Sequence, residues 1–250
     1  MTLPAATWLG ADRVTLDECE STNDEAAELA KKGAAHGTIV VADAQTAGRG
    51  RGSNSWFSPP GTNLYLSCIL RPTLAAVDCP PLTLAAGLGL WDAVNARGVS
   101  AALKWPNDVY VGRLKLAGIL TEMTSRGSAV DYVVVGIGVN LNQESFPSPL
   151  DATATSLRMQ TGDEVDRQRF LEDVLGTCEV WFDRLQDRGL DAVRDRWNER
   201  ALRGRVRVTT GTSSIEGTVE GLGPAGGLRI TSDSGEAQTI IAGEVTLLDD

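Results

Sequence analysis

Residues 43–63 read DAQTAGRGRGSNSWFSPPGTN, a stretch with few side chains suited to burial. Three glycines alternate with Arg49 and Arg51, and Trp56 follows. Residues 44–77 include no Asp or Glu, although 33 acidic residues in 250 would place about four in such a span. Glycine lets a backbone approach a ligand closely, and guanidinium groups donate to phosphate or carboxylate. We therefore expect a cationic loop that binds an anionic ligand and that the rest of the fold holds in place.

A loop of this composition is also typical of a mobile connection. Three features favour a binding role instead: the alternation of arginine and glycine, the adjacent aromatic side chain, and a length that is uncommon for a loop without a task. No GK[ST] sequence follows, and the glycines do not form G-x-G-x-x-G. The pattern is therefore neither a P-loop nor a dinucleotide-binding turn.

Short apolar segments at 38–42 and 63–70 predict strands on either side of this loop. Before them, Ser21 is suited to cap a helix that Gly33 ends. The polar side chains at the start of this helix have two interpretations, a simple capped N-terminus or a site for a polar ligand.

Later in the chain, turn chemistry at 105–108 predicts that Lys104 ends a strand. A hairpin follows, with strands at 109–111 and 114–123. Lys115 lies between two leucines in its second strand, so alternation alone leaves open which face of the sheet meets a ligand.

A nearly continuous apolar run at 132–142 predicts a strand that is covered on both faces. Helices are expected at 81–98, 166–188 and 189–199. Beyond residue 203, five short alternating segments separated by glycine-rich turns predict a small antiparallel barrel.

Composition limits the class of protein. With 42% hydrophobic and 22% charged residues, the chain is typical of a soluble globular protein, and its net charge of −10 argues against a nucleic-acid partner. No run approaches the ~20 apolar residues of a membrane span, and the first residues lack the pattern of an export signal. We expect a cytoplasmic protein with no membrane partner.

One histidine and four scattered cysteines leave few routes to catalysis. A zinc site built from Cys and His, or a Ser/His or Cys/His pair, would need His36 for every imidazole. The chemistry is therefore expected to use Lys, Arg, carboxylates, backbone groups and a hard metal ion.

Five motifs in register resemble those of the biotin-protein ligases, the enzymes that biotinylate acetyl-CoA carboxylase. They are STN at 21–23, QTAGRGR at 45–51 with Trp56, KWPND at 104–108, RLKLAG at 113–118 and GIGVN at 136–140. The resemblance implies an α+β fold: a mixed, largely antiparallel sheet with helices on one side, similar to class II aminoacyl-tRNA synthetases, and an SH3-like C-terminal β-barrel. It divides the chain into a catalytic domain at 1–203 and a barrel at 204–250.

The resemblance also implies roles for particular residues. Lys115, Arg49 and Arg51 are the expected catalytic residues. The expected biotin site comprises Ser21, Thr22, Asn23, Gln45, Gly48, Arg49, Gly50, Arg51, Lys115 and Gly118. The expected ATP and adenylate site comprises Arg49, Arg51, Trp56, Lys104, Asn107, Asp108 and Asn140, and Asp108 is also expected to bind Mg²⁺. Residues 52–55 read GSNS where many relatives have another arginine, so the resemblance supplies no third loop cation.

The implied reaction joins biotin and ATP to biotinyl-5′-AMP and transfers biotin to a lysine of the biotin carboxyl carrier protein of acetyl-CoA carboxylase or a related biotin-dependent carboxylase. Some relatives carry an N-terminal winged helix and repress biotin synthesis. The residues before Ser21 are too few for such a domain, which predicts an enzyme without a DNA-binding function, as a monomer or a homodimer. The C-terminal unit is expected to serve the nucleotide or the carrier protein rather than biotin.

Two alternatives stay open. A lipoate or octanoate ligase shares the fold, but typically has a triple glycine and a histidine-containing strand that this chain lacks. A non-catalytic adenine-nucleotide-binding regulator would need the loop without Lys115 and Gln45 together, and would bind ATP without releasing pyrophosphate.

The glycine loop predicts a measurable dependence on ligand. Ordering each loop residue costs ~1 to 2 kcal/mol, which ligand contacts must offset. Amide hydrogen exchange across residues 46–56 should therefore be slower with biotin plus ATP than without them. Equally slow exchange in both states would contradict ligand-dependent ordering.

Overall fold

The computed structural model describes residues 2–127 and 129–248. Its strands and helices lie in two sheets and the layers around them. The strands are β1 (Arg13–Cys19), β2 (Ile39–Gln45), β3 (Leu64–Leu70), β4 (Ala101–Lys104), β5 (Asp108–Val111), β6 (Leu114–Arg126), β7 (Ala129–Val139), β8 (Arg205–Thr210), β9 (Ser213–Leu222), β10 (Leu228–Ser232), β11 (Ala237–Ile240) and β12 (Glu244–Leu247). The helices are α1 (Thr22–Lys31), α2 (Pro81–Asn95), α3 (Leu157–Thr161), α4 (Arg167–Arg188) and α5 (Leu190–Arg200).

The first sheet has seven strands in the order β1-β2-β3-β7-β6-β5-β4. Only the β1–β2 pair is parallel among its described pairings, so the expected mixed, largely antiparallel sheet is confirmed. Strand β3, which lies beside the central strand β7, is buried at every residue because both faces are covered. Alternate β3 residues from Leu64 to Leu70 pack toward α2 and α4, whereas Ile69 packs toward α1. The layer of helices on one face is thus present, but α1 also covers part of the other face.

Helices α2 and α4 approach each other closely at one small residue. A Cβ built on Gly89 of α2 would lie 2.6 Å from the Cα of Cys178 in α4. Side chains that fill the rest of this contact, including Leu88, Phe170 and Val174, are fully buried. Packing at this density leaves no room for an added methyl group at Gly89.

The second sheet has five antiparallel strands in the order β11-β10-β9-β8-β12. β11 and β12 are its two edges, so the expected barrel is corrected here to an open sheet, which is consistent with an SH3-like unit. Apolar residues of this sheet, such as Val206 and Leu228, belong to the same core cluster as Trp105 and Trp197 of the first unit. The proposed boundary at 203/204 stays a prediction, since the core continues across it.

Other sequence-based bounds need adjustment. β1, which was not predicted from the sequence, has only two aliphatic residues, Val14 and Leu16, and lies at the exposed edge of the sheet. β2 runs on to Gln45, which places that residue at a strand end instead of in the loop. No helix in the described part of the chain has the length and apolar character needed to cross a membrane.

Gly89→Ala should destabilise the fold by about 1 to 3 kcal/mol, because the added methyl group would overlap the α4 backbone. Urea unfolding followed by circular dichroism measures this free energy. Gly87→Ala is the matched control on the same helix, because its new methyl group would meet side-chain atoms no closer than 3.6 Å. It should be neutral or stabilise by up to about 1 kcal/mol through helix propensity. Equal effects of the two substitutions would contradict the packing argument.

Candidate active site

A cavity of about 1090 Å³ lies on the α1 side of the first sheet. All fifteen site residues expected from the motifs line it. They come from the start of α1, the end of β2, the glycine loop, strands β4 to β6 with the turn between β4 and β5, and the residue after β7. The structure therefore brings the five motifs together, although it assigns no ligand to any of them.

The polar side chains at the start of α1 face the cavity and do not cap the helix. Ser21 occupies the N-cap position, but its side chain makes no capping hydrogen bond. Thr22 donates from its backbone N and from Oγ1 to Gln45 Oε1, at 2.8 and 3.2 Å. Because Ser21 and Thr22 are buried, this polar group is suited to recognise an enclosed polar ligand.

Asn23 sits in a gap that a glycine leaves in β7. A Cβ on Gly136 would lie 2.1 Å from Asn23 Oδ1. Asn23 Oδ1 accepts from Ser67 Oγ at 2.6 Å, and its Nδ2 donates to Glu122 Oε2 at 2.8 Å. Protein partners therefore hold both the oxygen and the nitrogen of the Asn23 amide. In this arrangement Asn23 positions Ser67 and Glu122.

The glycine loop contains structure of its own. Trp56 N donates to Gly48 O at 2.8 Å, and Gly50 N donates to Asn54 O at 2.7 Å, which makes a small hairpin. A Cβ on Gly48 would lie 2.6 Å from the backbone oxygen of Trp56. The loop is therefore closed on itself in this structure, while its ordering by ligand stays a prediction.

The two loop arginines have different surroundings. Arg49 donates to both oxygens of Glu122, at 2.8 and 2.7 Å, and to Asp24 at 2.7 Å. Arg51 donates to the backbone oxygen of Gly243 at 3.1 Å and forms no ion pair within residues 2–127 and 129–248. Arg51 is therefore the loop cation with more donors left for an anion.

Trp56 lies on the floor of the cavity. Its indole packs against Gly138 and Gly118, where added Cβ atoms would lie 2.5 and 3.2 Å from ring atoms, and Lys115 Nζ lies 5.5 Å from the ring centroid. The indole Nε1 is buried and has no hydrogen-bond partner among the described residues. Such a donor costs about 1 to 3 kcal/mol unless it is satisfied. The indole thus lies on the side expected for biotin, and its role beside adenine stays a prediction.

Three charged residues meet at the wall of the cavity beside the indole. Asp108 Oδ1 is 2.7 Å from Lys115 Nζ, and Oδ2 is 3.6 Å from Lys104 Nζ. Lys104 lies over the ring of Tyr110 at 5.0 Å, and its side chain is only 10% exposed. Burial, together with the charge of Lys115, lowers the pKa of Lys104 although Asp108 opposes the shift. Burial likewise raises the pKa of Tyr110 to about 12. Lys115, at 31% exposure, is the ammonium of this group that is accessible to a ligand.

A β-bulge decides which way Lys115 points. The pairing register of β5 and β6 shifts between Val109 and Tyr110, so that Val109 pairs with Ala117 and Tyr110 with Lys115. The backbone of Lys115 also accepts from Thr155 N and donates to Thr153 O, at 2.9 and 2.8 Å. Bulges of this kind re-aim side chains next to active sites. The backbone of Lys115 is therefore held on two sides before any ligand arrives.

The two expected asparagines of this wall are tied to backbone. Asn107 Nδ2 donates to Ile119 O at 2.7 Å, and Asn140 Nδ2 donates to Thr155 O at 3.0 Å. Both line the cavity, and in this arrangement they hold the turn and the segment that position Lys115. Direct contacts of these amides with a nucleotide stay predictions.

The carboxylates of the cavity are few for a Mg²⁺ site. Across the described residues, no three His, Cys, Asp or Glu side chains come together as a metal site. Both oxygens of Asp108 face an ammonium group, whereas Mg²⁺ requires several oxygen ligands in octahedral geometry. The arrangement therefore does not fit a metal ion held by protein side chains alone. A contact from Asp108 to a Mg²⁺ carried by a phosphate ligand stays a prediction.

Sequence reasoning missed several residues that position those of the site. Ser58, Ser67 and Glu122 lie outside the motifs, yet each hydrogen-bonds to a motif residue. Only the alternation of β6 offered a signal, since Glu122 interrupts an apolar strand. The cavity also includes residues 146–150 and, from the second sheet, Gly243, Glu244 and Val245.

Comparison with known proteins places this site in a family. Residues 17–140 match the Biotin/lipoate A/B protein ligase family, and residues 205–248 match the Biotin protein ligase C terminal domain. The biotin--[acetyl-CoA-carboxylase] ligase of Paracoccus denitrificans is 37% identical over 238 residues, which cover 92% of this chain and 98% of that protein. The chain belongs to the biotin protein ligase family.

Two further family members support this assignment. The bifunctional ligase/repressor BirA of Bacillus spizizenii is 35% identical over 91% of this chain and 71% of that protein. The crystallised biotin protein ligase of Aquifex aeolicus in complex with biotin and ATP superposes with a TM-score of 0.83 at 31% identity, covering 94% of this chain and 98% of that one. The family fold is thus shared over both sheets.

Gly138→Ala should undock the glycine loop, because its methyl group would overlap the Trp56 indole. Tryptic cleavage after Arg51 measures the open population of the loop, and it should become roughly 5- to 100-fold faster if docking weakens by about 1 to 3 kcal/mol. The Trp56→Ala variant provides a double-mutant cycle. If Gly138→Ala still accelerates cleavage in a chain that already carries Trp56→Ala, its effect does not pass through the indole.

Proposed function

We propose that this chain is an ATP-dependent biotin protein ligase, which activates biotin as biotinyl-5′-AMP and transfers it to a lysine of the biotin carboxyl carrier protein of acetyl-CoA carboxylase. The observation that supports it best is the convergence of Lys115, Arg49 and Arg51 on one cavity, in a chain that is otherwise acidic. We expect it to act in the cytoplasm, as a monomer or homodimer, without nucleic acid or membrane.

In the first step, a carboxylate oxygen of biotin attacks the α-phosphorus of ATP, and the bond to pyrophosphate breaks. Two negatively charged groups must approach each other, so the barrier requires fixed positive charge and donors near the reacting atoms. Lys115 and Arg51 are placed to supply them, Lys115 from a strand and Arg51 from the loop. Ser21, Thr22, Gln45 and the backbone at Gly118 would hold the remainder of biotin.

In the second step, the amine of the carrier lysine attacks the acyl carbon of the mixed anhydride and AMP leaves with the bonding electrons. The lysine must lose its proton, which passes to solvent or to a phosphate oxygen. Water would destroy the anhydride, so the glycine loop and Trp56 would exclude it until the carrier lysine enters. This division gives the loop a protective role and Lys115 an electrostatic one.

The rivals are separated by one assay. The protein is incubated with ATP, Mg²⁺ and either biotin or lipoate, and pyrophosphate is measured. Release with biotin alone supports the proposal, release with lipoate alone indicates a lipoate ligase, and ATP binding without release indicates a regulator. The match of residues 205–248 to the C-terminal domain of biotin protein ligases favours biotin.

Lys115→Ala should impair adenylate formation far more than transfer. Its ammonium is preorganised by Asp108 at 2.7 Å, and removing such a charge costs on the order of 10²- to 10³-fold in rate. In the transfer step the bond between the biotin carboxylate and the α-phosphorus already exists, so the loss should be smaller. Pyrophosphate release from biotin and ATP is compared with carrier labelling from pre-made biotinyl-AMP. Equal losses in both assays, or pyrophosphate release at the wild-type rate, would remove Lys115 from this role.

A further inference from the structure

A continuous set of polar contacts joins the two arms of the glycine loop through the floor of the cavity. It begins at the Arg49 side chain and ends at the backbone oxygen of Trp56, and every intermediate contact lies between 2.6 and 3.2 Å. In order, its members are Arg49, Glu122, Asn23, Ser67, Thr22, Gln45, Ser58 and Trp56.

Glu122 is the member at which this network meets the loop cation. Its two oxygens accept from Arg49 Nη1 and Nη2, and Oε2 also accepts from Asn23 Nδ2. Partial burial works to raise the pKa of Glu122, but the hydrogen bonds from Arg49 and Asn23 outweigh it and hold the pKa below its ordinary value. The carboxylate therefore stays charged at neutral pH, and the pair is bidentate, which is the strong form of an Arg–carboxylate contact.

The neighbouring carboxylate makes a weaker contact. Asp24 receives one hydrogen bond from Arg49 and is 55% exposed, against 40% for Glu122. Glu122 lies on β6, where its backbone pairs with Val134 of the central strand β7, whereas Asp24 lies in the first turn of α1. Glu122 is thus the more rigid anchor for Arg49.

We propose that Glu122 is a positioning residue that, through Arg49, holds the glycine loop closed over the activated intermediate and so limits its escape before transfer. This inference rests on the proposed function for the nature of the intermediate. Glu122 itself would touch neither biotin nor ATP. Two carboxylates contact the guanidinium of Arg49, and three of its N–H donors are already engaged. Arg49 is therefore better suited to anchor the loop than to bind an anionic ligand.

Glu122→Gln tests the tether, because it keeps the shape of the side chain and removes its charge. Enzyme loaded with labelled biotinyl-AMP is chased with unlabelled biotin and ATP, and the escape of label is timed. We expect escape to be about tenfold faster than in the wild type, with single-turnover pyrophosphate formation changed less than about threefold. A merely structural role would slow pyrophosphate formation as well.

Glu216→Gln is the matched control. Glu216 is 37% exposed, accepts from Arg207 at 2.9 and 2.6 Å, and lies on β9 of the second sheet outside the cavity. It should leave escape unchanged. Escape from Glu122→Gln at the rate of this control, or a loss of pyrophosphate formation as large as the gain in escape, would overturn the proposal.

Failure of the proposed function is separable from failure of the tether. If the wild type releases no pyrophosphate with biotin and ATP, the function is wrong, and tryptic cleavage after Arg51 in the ligand-free protein then decides the tether. Cleavage about tenfold faster in Glu122→Gln than in Glu216→Gln supports the contact as a loop anchor, and equal cleavage rates overturn it.

Discussion

The cavity depends on two positions of β7 that carry no side chain. At Gly136 and Gly138, Cβ atoms would lie 2.1 Å from Asn23 Oδ1 and 2.5 Å from Trp56 Nε1. From Val133 to Val139 this central strand is otherwise apolar and packed on its other face, so it cannot shift to make room. Because β7 is bare there, a helix N-terminus and an indole can both rest on the sheet. The polar network and the docked loop follow from that close approach.

Charge in the site is arranged by pairing. Lys115 and Lys104 share Asp108, and Arg49 is shared by Glu122 and Asp24. Each pair holds a long side chain in one geometry and removes part of its attraction for an anion. Fixed geometry at the cost of weaker attraction still favours catalysis, because a fixed charge needs no reorganisation when negative charge develops. It also helps an acidic chain to keep a cationic cavity, since Asp108, Glu122 and Asp24 are engaged with the lysines and arginines of the site.

The sequence predicted the elements with strong periodicity and the motifs that meet in the cavity. It could not predict which face of the sheet the Lys115 side chain lies on. A bulge in the β5–β6 pairing determines that face, and the alternation of residues does not indicate the bulge. It could not find Glu122 or Ser67, whose partners are far away in the chain and become neighbours only when α1 docks on the sheet. β1 was not predicted for a different reason. It is an edge strand with mostly exposed residues, so its sequence contains few apolar residues.

The C-terminal unit contributes directly to the lining of the cavity. Arg51 donates to Gly243 O, and Trp105 of the KWPND motif donates to Gly226 O at 3.2 Å. Gly243, Glu244 and Val245 line the cavity on the side of Lys104 and Tyr110, away from the pocket formed by Thr22 and Gln45. The C-terminal unit therefore touches the loop cation and the lysine wall, while the polar floor is built by the first sheet and α1. A ligand that spans both regions would be held by the two units together, which makes their shared apolar core a condition for the geometry of the site.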